Sequence, residues 1–284
     1  MKKLFLLCFC LVLLVPGMEA RHPLKELFVL HTSDTHSRIE PLDPHSADPN
    51  AGRGGAARRA AFVRQYRTLH PDVLLLDCGD ISQGTPYYNL FRGELEVRMM
   101  NLMRYDAMAI GNHEFDYGLE NMARLFRMAD FPVVCANYDF RGTPLEDLVR
   151  PYVIIRRGDV RIGIFGLSPR LEGLVQADKC EGVAFLDPVD VADRVVKTLR
   201  TEEKCDVVIC LSHLGMLGMD SPDVGDEILV SRTTGIDLVL GGHTHTYMEH
   251  PAFLTNAEGA PVPVMHTGKN GAYVGELKLE LERE

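Results

Sequence analysis

Five apolar runs in this 284-residue chain stop on side chains of the kind that hold metal ions. ELFVLHT runs into Ser33-Asp34-Thr35-His36, and DVLLLDCG into Asp80. DAMAIG runs into Asn112-His113, CDVVICLS into His213, and GIDLVLGG into His243-Thr244-His245. In an extended chain, residues i and i+2 point the same way, so Asp34 with His36, and His243 with His245, can each present two donors together. Glycines 79, 111, 241 and 242 let the backbone turn sharply beside these donors. The set mixes carboxylate, amide and imidazole without thiolate, which suits Zn, Mn, Fe or Co at open sites. There are too many donors for one ion. Two ions about 3.5–4 Å apart that share a carboxylate would use them, as hydrolytic two-metal centres do. A lone DxH or HxH is commonly a cap or a satisfied polar pair. The weight lies in five strand ends doing the same thing.

The elements that must position these donors alternate in type. Strands are expected over 26–34, 72–80, 131–137, 205–213 and 235–243, with a further one across DAMAIGN. Helices are expected over 54–69, across YYNLFRGELEVRMMNLM, near 118–128, over 187–202 and near 222–232. YVIIRRGDVRIGIFGLS (152–168) reads as a hairpin turning at Gly158-Asp159, and strands near 262–267 and 272–281 close the chain. Strands separated by helices indicate an α/β domain, and runs such as DVLLLDCGD are apolar throughout, as in a sheet covered on both faces. In such sheets, ligands gather outside the carboxyl ends of strands, so the five donor-bearing ends can converge. The stretch PLDPHSADPNAGRGG (41–55), with three prolines and three glycines, reads as a loop, either plain surface or the mouth of a site.

Composition narrows the partners. The formal net charge is −10, which argues against a nucleic-acid polymer or an anionic membrane as the main partner. Lys2 and Lys3 precede an apolar run from Leu4 to Val15 that breaks at Pro16-Gly17, the pattern of a secretory signal peptide rather than a stable membrane anchor. Residues 1–20 are therefore expected to be a leader, with cleavage open between Gly17 and Ala20, and the protein to be exported, periplasmic or extracellular. With Cys8 and Cys10 inside that run, five cysteines remain in the mature chain. Cys78, Cys135 and Cys210 read as small buried hydrophobes, and a pairing of Cys180 or Cys205 is left open.

The ordered series D-T-H, C-G-D, G-N-H-E-F-D, S-H-L-G and G-G-H-T-H resembles the calcineurin-like metallophosphoesterases. More narrowly, with SQGTPYYNLFRGE and TGKNGAYVGELKLEL, it resembles the N-terminal catalytic domain of secreted 5′-nucleotidases, a group that includes UDP-sugar hydrolases and 2′,3′-cyclic phosphodiesterases. The resemblance implies a four-layer αββα sandwich of two mixed β-sheets flanked by helices, over residues 21–284. It implies two divalent metal ions, one on Asp34, His36 and His245, the other on Asn112, His213 and His243, with Asp80 bridging. It implies that His113 faces the phosphate, stabilising charge or protonating the leaving group. Asp116, one turn on, would bond the other ring nitrogen, unless it is only a first-turn carboxylate.

The expected function is an exported, dinuclear-metal phosphoester hydrolase acting on nucleotides. Against the family, the sequence ends at Glu284, where the C-terminal nucleotide-binding domain would follow, and that domain's aromatic clamp is expected to be absent. The alternatives are a catalytic or binding subunit completed by a separately encoded C-terminal domain, or a broad-specificity phosphodiesterase or UDP-sugar hydrolase. Glu114 has no role beyond an N-terminal helix preference. Arg58 and Arg59 read as a solvated basic face, His31 and His266 as structural, and His22, His45, His70 and His250 as surface.

Overall fold

A computed structural model describes residues 25–217 and 224–281. The leader-like segment with Cys8, Cys10 and His22, and the first residues of the helix expected near 222, lie outside the described residues. The strands are β1 (Glu26–Thr32), β2 (Leu74–Asp77), β3 (Ala107–Ala109), β4 (Val133–Val134), β5 (Tyr138–Asp139), β6 (Val149–Arg150) and β7 (Tyr152–Arg157). They continue as β8 (Val160–Leu167), β9 (Ala184–Phe185), β10 (Val207–Ser212), β11 (Leu238–Gly241), β12 (Ala252–Thr255), β13 (Pro261–His266) and β14 (Gly275–Glu280). The helices are α1 (Ala56–Leu69), α2 (Pro86–Phe91), α3 (Glu94–Met103), α4 (Gly118–Met128), α5 (Pro188–Thr201) and α6 (Asp226–Arg232).

The strands form two six-stranded sheets, ordered β14-β1-β2-β3-β4-β6 and β12-β13-β11-β10-β8-β7, with a small β5-β9 ribbon beside them. Both are mixed: β1, β2 and β3 run parallel and so do β8, β10, β11 and β13, while β14, β7 and β12 add antiparallel edges. The period-2 alternation of strand side chains explains the layering. Leu27, Val29, Leu74 and Leu76 of the first sheet meet Val207, Ile209, Leu211 and Leu238 of the second in one core between the sheets. Their neighbours Leu30, Leu75 and Met108 face outward onto Val63, Met100 and Met122 of the helices α1, α3 and α4. Val208, Cys210 and Val239 likewise face Val191, Leu199 and Leu229 of α5 and α6. The result is the expected αββα sandwich, and it accounts for strands that are apolar on both faces.

Local signals place the elements. Asp187 caps α5, its carboxylate accepting from the N–H groups of Val189 and Asp190 at 2.9 and 3.0 Å, with Pro188 in the first turn. The hairpin turns where expected, Arg157 pairing with Val160. The single helix expected across residues 87–103 is two, because Arg92 and Gly93 both take left-handed backbone (φ 51° and 92°) and end α2 before α3 begins. β1 and β2 stop earlier than expected, since Asp34 and Asp80 leave the extended region. Cys180 and Cys205 are free thiols, as are the buried Cys78, Cys135 and Cys210. Among the described residues no helix is long and apolar enough to cross a membrane.

Candidate metal centre

The carboxyl ends of β1, β2 and β3 in one sheet and of β10 and β11 in the other open onto the same place. Three groups of side chains there could hold a cation, each with ligand atoms within 4.8 Å of one another: Asp34, His36 and His245; Asp80, His213 and His243; and His36, Asp80 and His113. His36 Nε2 lies 2.9 Å from His245 Nε2, and His245 Nε2 lies 3.6 Å from Asp34 Oδ1. His213 Nε2 lies 3.1 Å from Asp80 Oδ2 and 4.0 Å from Asp34 Oδ1. Of the nine residues singled out in the sequence, all except Asn112 and Asp116 enter these groups. Asn112 occupies the start of the short 3-10 turn His113–Phe115, buried, its Oδ1 without a hydrogen-bond partner.

The backbone reaches this arrangement by turning, not by staying extended. Asp34, His36, Asp80, His243 and His245 all have positive φ (50°, 47°, 55°, 74° and 54°). Non-glycine residues rarely adopt this region, and such strain concentrates at functional sites. The i, i+2 alternation expected of an extended chain is therefore not what pairs these donors. Asp34 and His36 do fall in one group, but His243 and His245 are directed into different ones. Small residues permit the close approach. A Cβ on Gly111 would stand 2.1 Å from Asp80 Oδ1, and one on Gly242 would stand 2.9 Å from Asp34 Oδ2.

The main chain locks the loops together. Asp34 N and His36 N donate to the carbonyls of Gly79 and Asp80 at 2.9 and 3.1 Å, so the turns after β1 and β2 run side by side. Two metal-type carboxylates also take backbone donors: Asp34 Oδ1 accepts from His243 N at 3.0 Å and Asp80 Oδ1 from His113 N at 2.9 Å. The His213 ring is oriented by Nδ1, 2.7 Å from the Cys78 carbonyl oxygen, which leaves Nε2 for the cluster.

Glu114 is the residue the sequence did not reveal. Its carboxylate is buried and accepts from four backbone N–H groups, those of Asp80 (2.9 Å), Ile81 (3.0 Å), Ser82 (3.3 Å) and Gly111 (2.7 Å). It ties the turn after β2 to the turn after β3 and so sets Asp80. Burial and the charge of Asp80 push its carboxyl up to about 7, and the N–H donors pull the other way. An acidic residue three positions after Gly111 is the only sequence signal, and it could equally mark a helix start. Asp77 plays a similar part beneath β2, accepting from Thr32 Oγ1 at 2.6 Å and Gly79 N at 2.9 Å. Arg59 is buried, with a Cβ on Gly271 standing 2.4 Å from its Nη1, so the expected solvated basic face holds only for the exposed Arg58. Helix α1 turns Arg59 inward under the 267–271 loop.

The imidazoles of the cluster fall into two protonation states, three neutral and one, His213, charged against Asp80. Burial holds His36, His243 and His245 below the ordinary imidazole range, the last two down to about 4, so their rings are neutral and can donate lone pairs. Burial opposes charge on both His213 and Asp80, but their mutual attraction prevails. It pushes His213 up to about 10 and holds Asp80 well below the usual carboxylate range. Asp34 Oδ2, Asn112 Oδ1 and His213 Nε2 are buried without a hydrogen bond. The buried oxygens of Asp34 and Asn112 are acceptors without a donor, costly unless a cation takes that place, so the residues present fit divalent metal, His213 giving up its proton to bind. Beside the cluster, His113 Nδ1 lies 3.1 Å from Asp116 Oδ2, and the Asp116 carboxylate holds the imidazole above its ordinary pKa. The dyad reading and the helix-start reading of Asp116 meet here, in a 3-10 turn rather than an α-helix. His31 and His266 are buried off the cluster, and His45 and His250 are exposed. His70 is half-buried, its ring 3.8 Å from that of Phe28.

The same features recur in known proteins. The family model for calcineurin-like phosphoesterases matches residues 28–247. Human 5′-nucleotidase is 34% identical over 277 residues, covering 90% of this chain and 47% of that protein. The crystal structure of a 5′-nucleotidase precursor from Thermus thermophilus superposes with a TM-score of 0.77 at 34% identity, over 89% of this chain and 51% of the other. The calcineurin-like phosphoesterase YfkN of Bacillus subtilis gives a TM-score of 0.76 at 28% identity, over 92% of this chain and 87% of that structure. The chain spans about half the length of the curated relatives it matches. With a sandwich of two mixed sheets, donors at five strand ends and a family match through most of its length, the chain belongs to the calcineurin-like phosphoesterases.

Proposed function

We propose that this chain is an exported phosphoester hydrolase working with two divalent metal ions, and that its substrates are nucleotides, as the names of its relatives suggest. The observation that carries the reading is the convergence of Asp34, His36 and His245 in one group and of Asp80, His213 and His243 in another, with Asp80 also grouped with His36 and His113. The first set would hold one ion, and His213 and His243, joined by Asn112, a second, with Asp80 as the ligand both could share; Zn, Mn, Fe and Co all suit these donors. When bound, such a pair supplies an activated water and neutralises phosphate charge. The chain's own residues do the rest. Glu114 and the paired turns hold Asp80 where both sets can share it. His113, protonated and oriented by Asp116, donates to the phosphate or to the departing oxygen, for which its raised pKa suits it. Export rests on the leader-like pattern of residues 1–20.

The test is metal analysis of the purified protein, with turnover of a chromogenic phosphomonoester before and after chelation. A nucleotide panel of AMP, UDP-glucose and 2′,3′-cyclic AMP then ranks substrates. Two equivalents of metal and chelator-sensitive hydrolysis with AMP preferred support the reading. A folded protein that binds no metal, or binds it and hydrolyses nothing, overturns it. A second reading is favoured by the coverage of about half of each curated relative. In it, a further domain, on this polypeptide or another, completes nucleotide recognition, and the chain alone acts broadly. Equal rates across the panel would select it.

A further inference from the structure

Beside the metal centre stands a pile of rings that the catalytic reading does not use. Tyr247 follows His245 by two residues, so its Cα lies no more than about 7 Å from that of His245. Its ring stacks on Tyr273, with centroids 4.1 Å apart and planes at 28°. The guanidinium of Arg53 lies 4.9 Å from the Tyr273 centroid. Arg53 and Tyr247 thus both pack against the Tyr273 ring. Tyr273 is fixed at its far end, its hydroxyl donating to Asn50 Oδ1 at 2.6 Å. Arg53 and Asn50 both come from the loop 41–55, which thereby gains a task beyond covering surface.

The pile is also tied to the metal centre. Tyr247 pairs with Thr267 in an isolated β-bridge, and Gly268 N donates to the Thr246 carbonyl at 2.8 Å. In the same loop, Asn270 N donates to the Asp34 carbonyl at 2.7 Å. Lys269, exposed on that loop, is close enough for His245 to feel its charge. Yet Tyr247 stays 50% exposed, although Tyr273 covers one of its faces. A large ring held rigidly with a bare face beside a buried cluster has apolar surface left over for a ligand.

We propose that Tyr247, backed by Tyr273 and Arg53, is the floor of a subsite for a nucleobase on the organic part of the phosphoester. The proposal rests on the phosphoester reading above. The base continues the stack while the phosphate lies over the cluster and Lys269 faces the anion. Any base has a face to stack, so this subsite favours nucleotides as a class over ringless phosphoesters without choosing among bases.

The test compares AMP with ribose 5-phosphate on the metal-loaded chain. The two share the phosphate and sugar and differ by the base. The wild-type protein is expected to prefer AMP in kcat/KM, mainly through KM. In Tyr247→Ala the ratio falls by roughly 5- to 150-fold, the range of one base–aromatic stack. Tyr247→Phe, which keeps the ring, retains the preference and controls for folding. No preference in wild type, or an equal change for both substrates in Tyr247→Ala, overturns the subsite. If neither compound is hydrolysed, nor UDP-glucose, 2′,3′-cyclic AMP or the chromogenic ester, the phosphoester reading fails by itself, and calorimetric binding of AMP and ribose 5-phosphate still decides the subsite. Tighter AMP binding that is lost in Tyr247→Ala upholds it, and equal binding overturns it.

Discussion

Two buried carboxylate–imidazole pairs lie close together in this protein and look alike by residue type. Asp80 and His213 approach to 3.1 Å, Asp226 and His266 to 2.8 Å, and all four side chains are buried. Asp226 is saturated: one oxygen takes His266 Nε2 and the other takes the Ser212 hydroxyl at 2.5 Å. Its partner His266 sits on the regular strand β13, in register with Gly241 of β11. Asp80 has left-handed backbone, and near it Asp34 Oδ2 and Asn112 Oδ1 are buried with no hydrogen bond. His266 Nδ1 and both nitrogens of His31 are also unpartnered, but burial keeps His31 neutral, its pKa pushed down to about 3, and no carboxylate oxygen is left over. Burial of an acid beside an imidazole is thus no sign of function. Convergent unpartnered donors on strained backbone are.

That contrast can be broken by substitution. The largest effect is expected from Asp80→Asn, which keeps the shape and removes the shared charge. Metal content by mass spectrometry should fall and phosphoester turnover should drop to background, with circular dichroism unchanged. His113→Ala comes next: metal is retained while kcat falls about 10²- to 10⁴-fold, the span of a positioned general acid. Metal loss equal to that of Asp80→Asn would instead make His113 a ligand, in the group it forms with His36 and Asp80. Glu114→Gln tests positioning. With the anion that gathers four N–H groups gone, metal affinity or turnover should weaken about 10- to 100-fold, and excess metal should restore part of it. The smallest functional effect belongs to the other pair. Asp226→Asn should cost about 1–3 kcal/mol of stability, seen as a lowered Tm, while metal content and kcat below that Tm stay as in wild type. A lost ion in Asp226→Asn would erase the distinction between the two pairs.

What was legible in the sequence follows from local chemistry. The apolar runs that build β1, β2, β10 and β11 mark themselves, because a strand covered on both faces has no polar side. The donors stand out because they begin where those runs end. Single-residue geometry was harder to read. The break between α2 and α3 needed Arg92 to adopt φ 51°, which its residue type does not announce. Arg59 looked like its neighbour Arg58 until the 267–271 loop closed over it.

The sequence by itself therefore determined the α/β class, through alternating strand and helix patterns, the layering, through its resemblance to a family, and the inventory of donors, through their types and positions. Tertiary structure decided how the inventory is spent. His243 and His245 part company because each takes a left-handed turn. Glu114 becomes a clamp because its four N–H partners come from Gly111 and from a turn more than thirty residues away. Tyr247 meets Tyr273 and Arg53 only when loops far apart in the chain fold onto the same rim. Hydrogen bonds and ring stacks are matters of a few ångströms, and only packing of the two sheets brings such distant segments within that range.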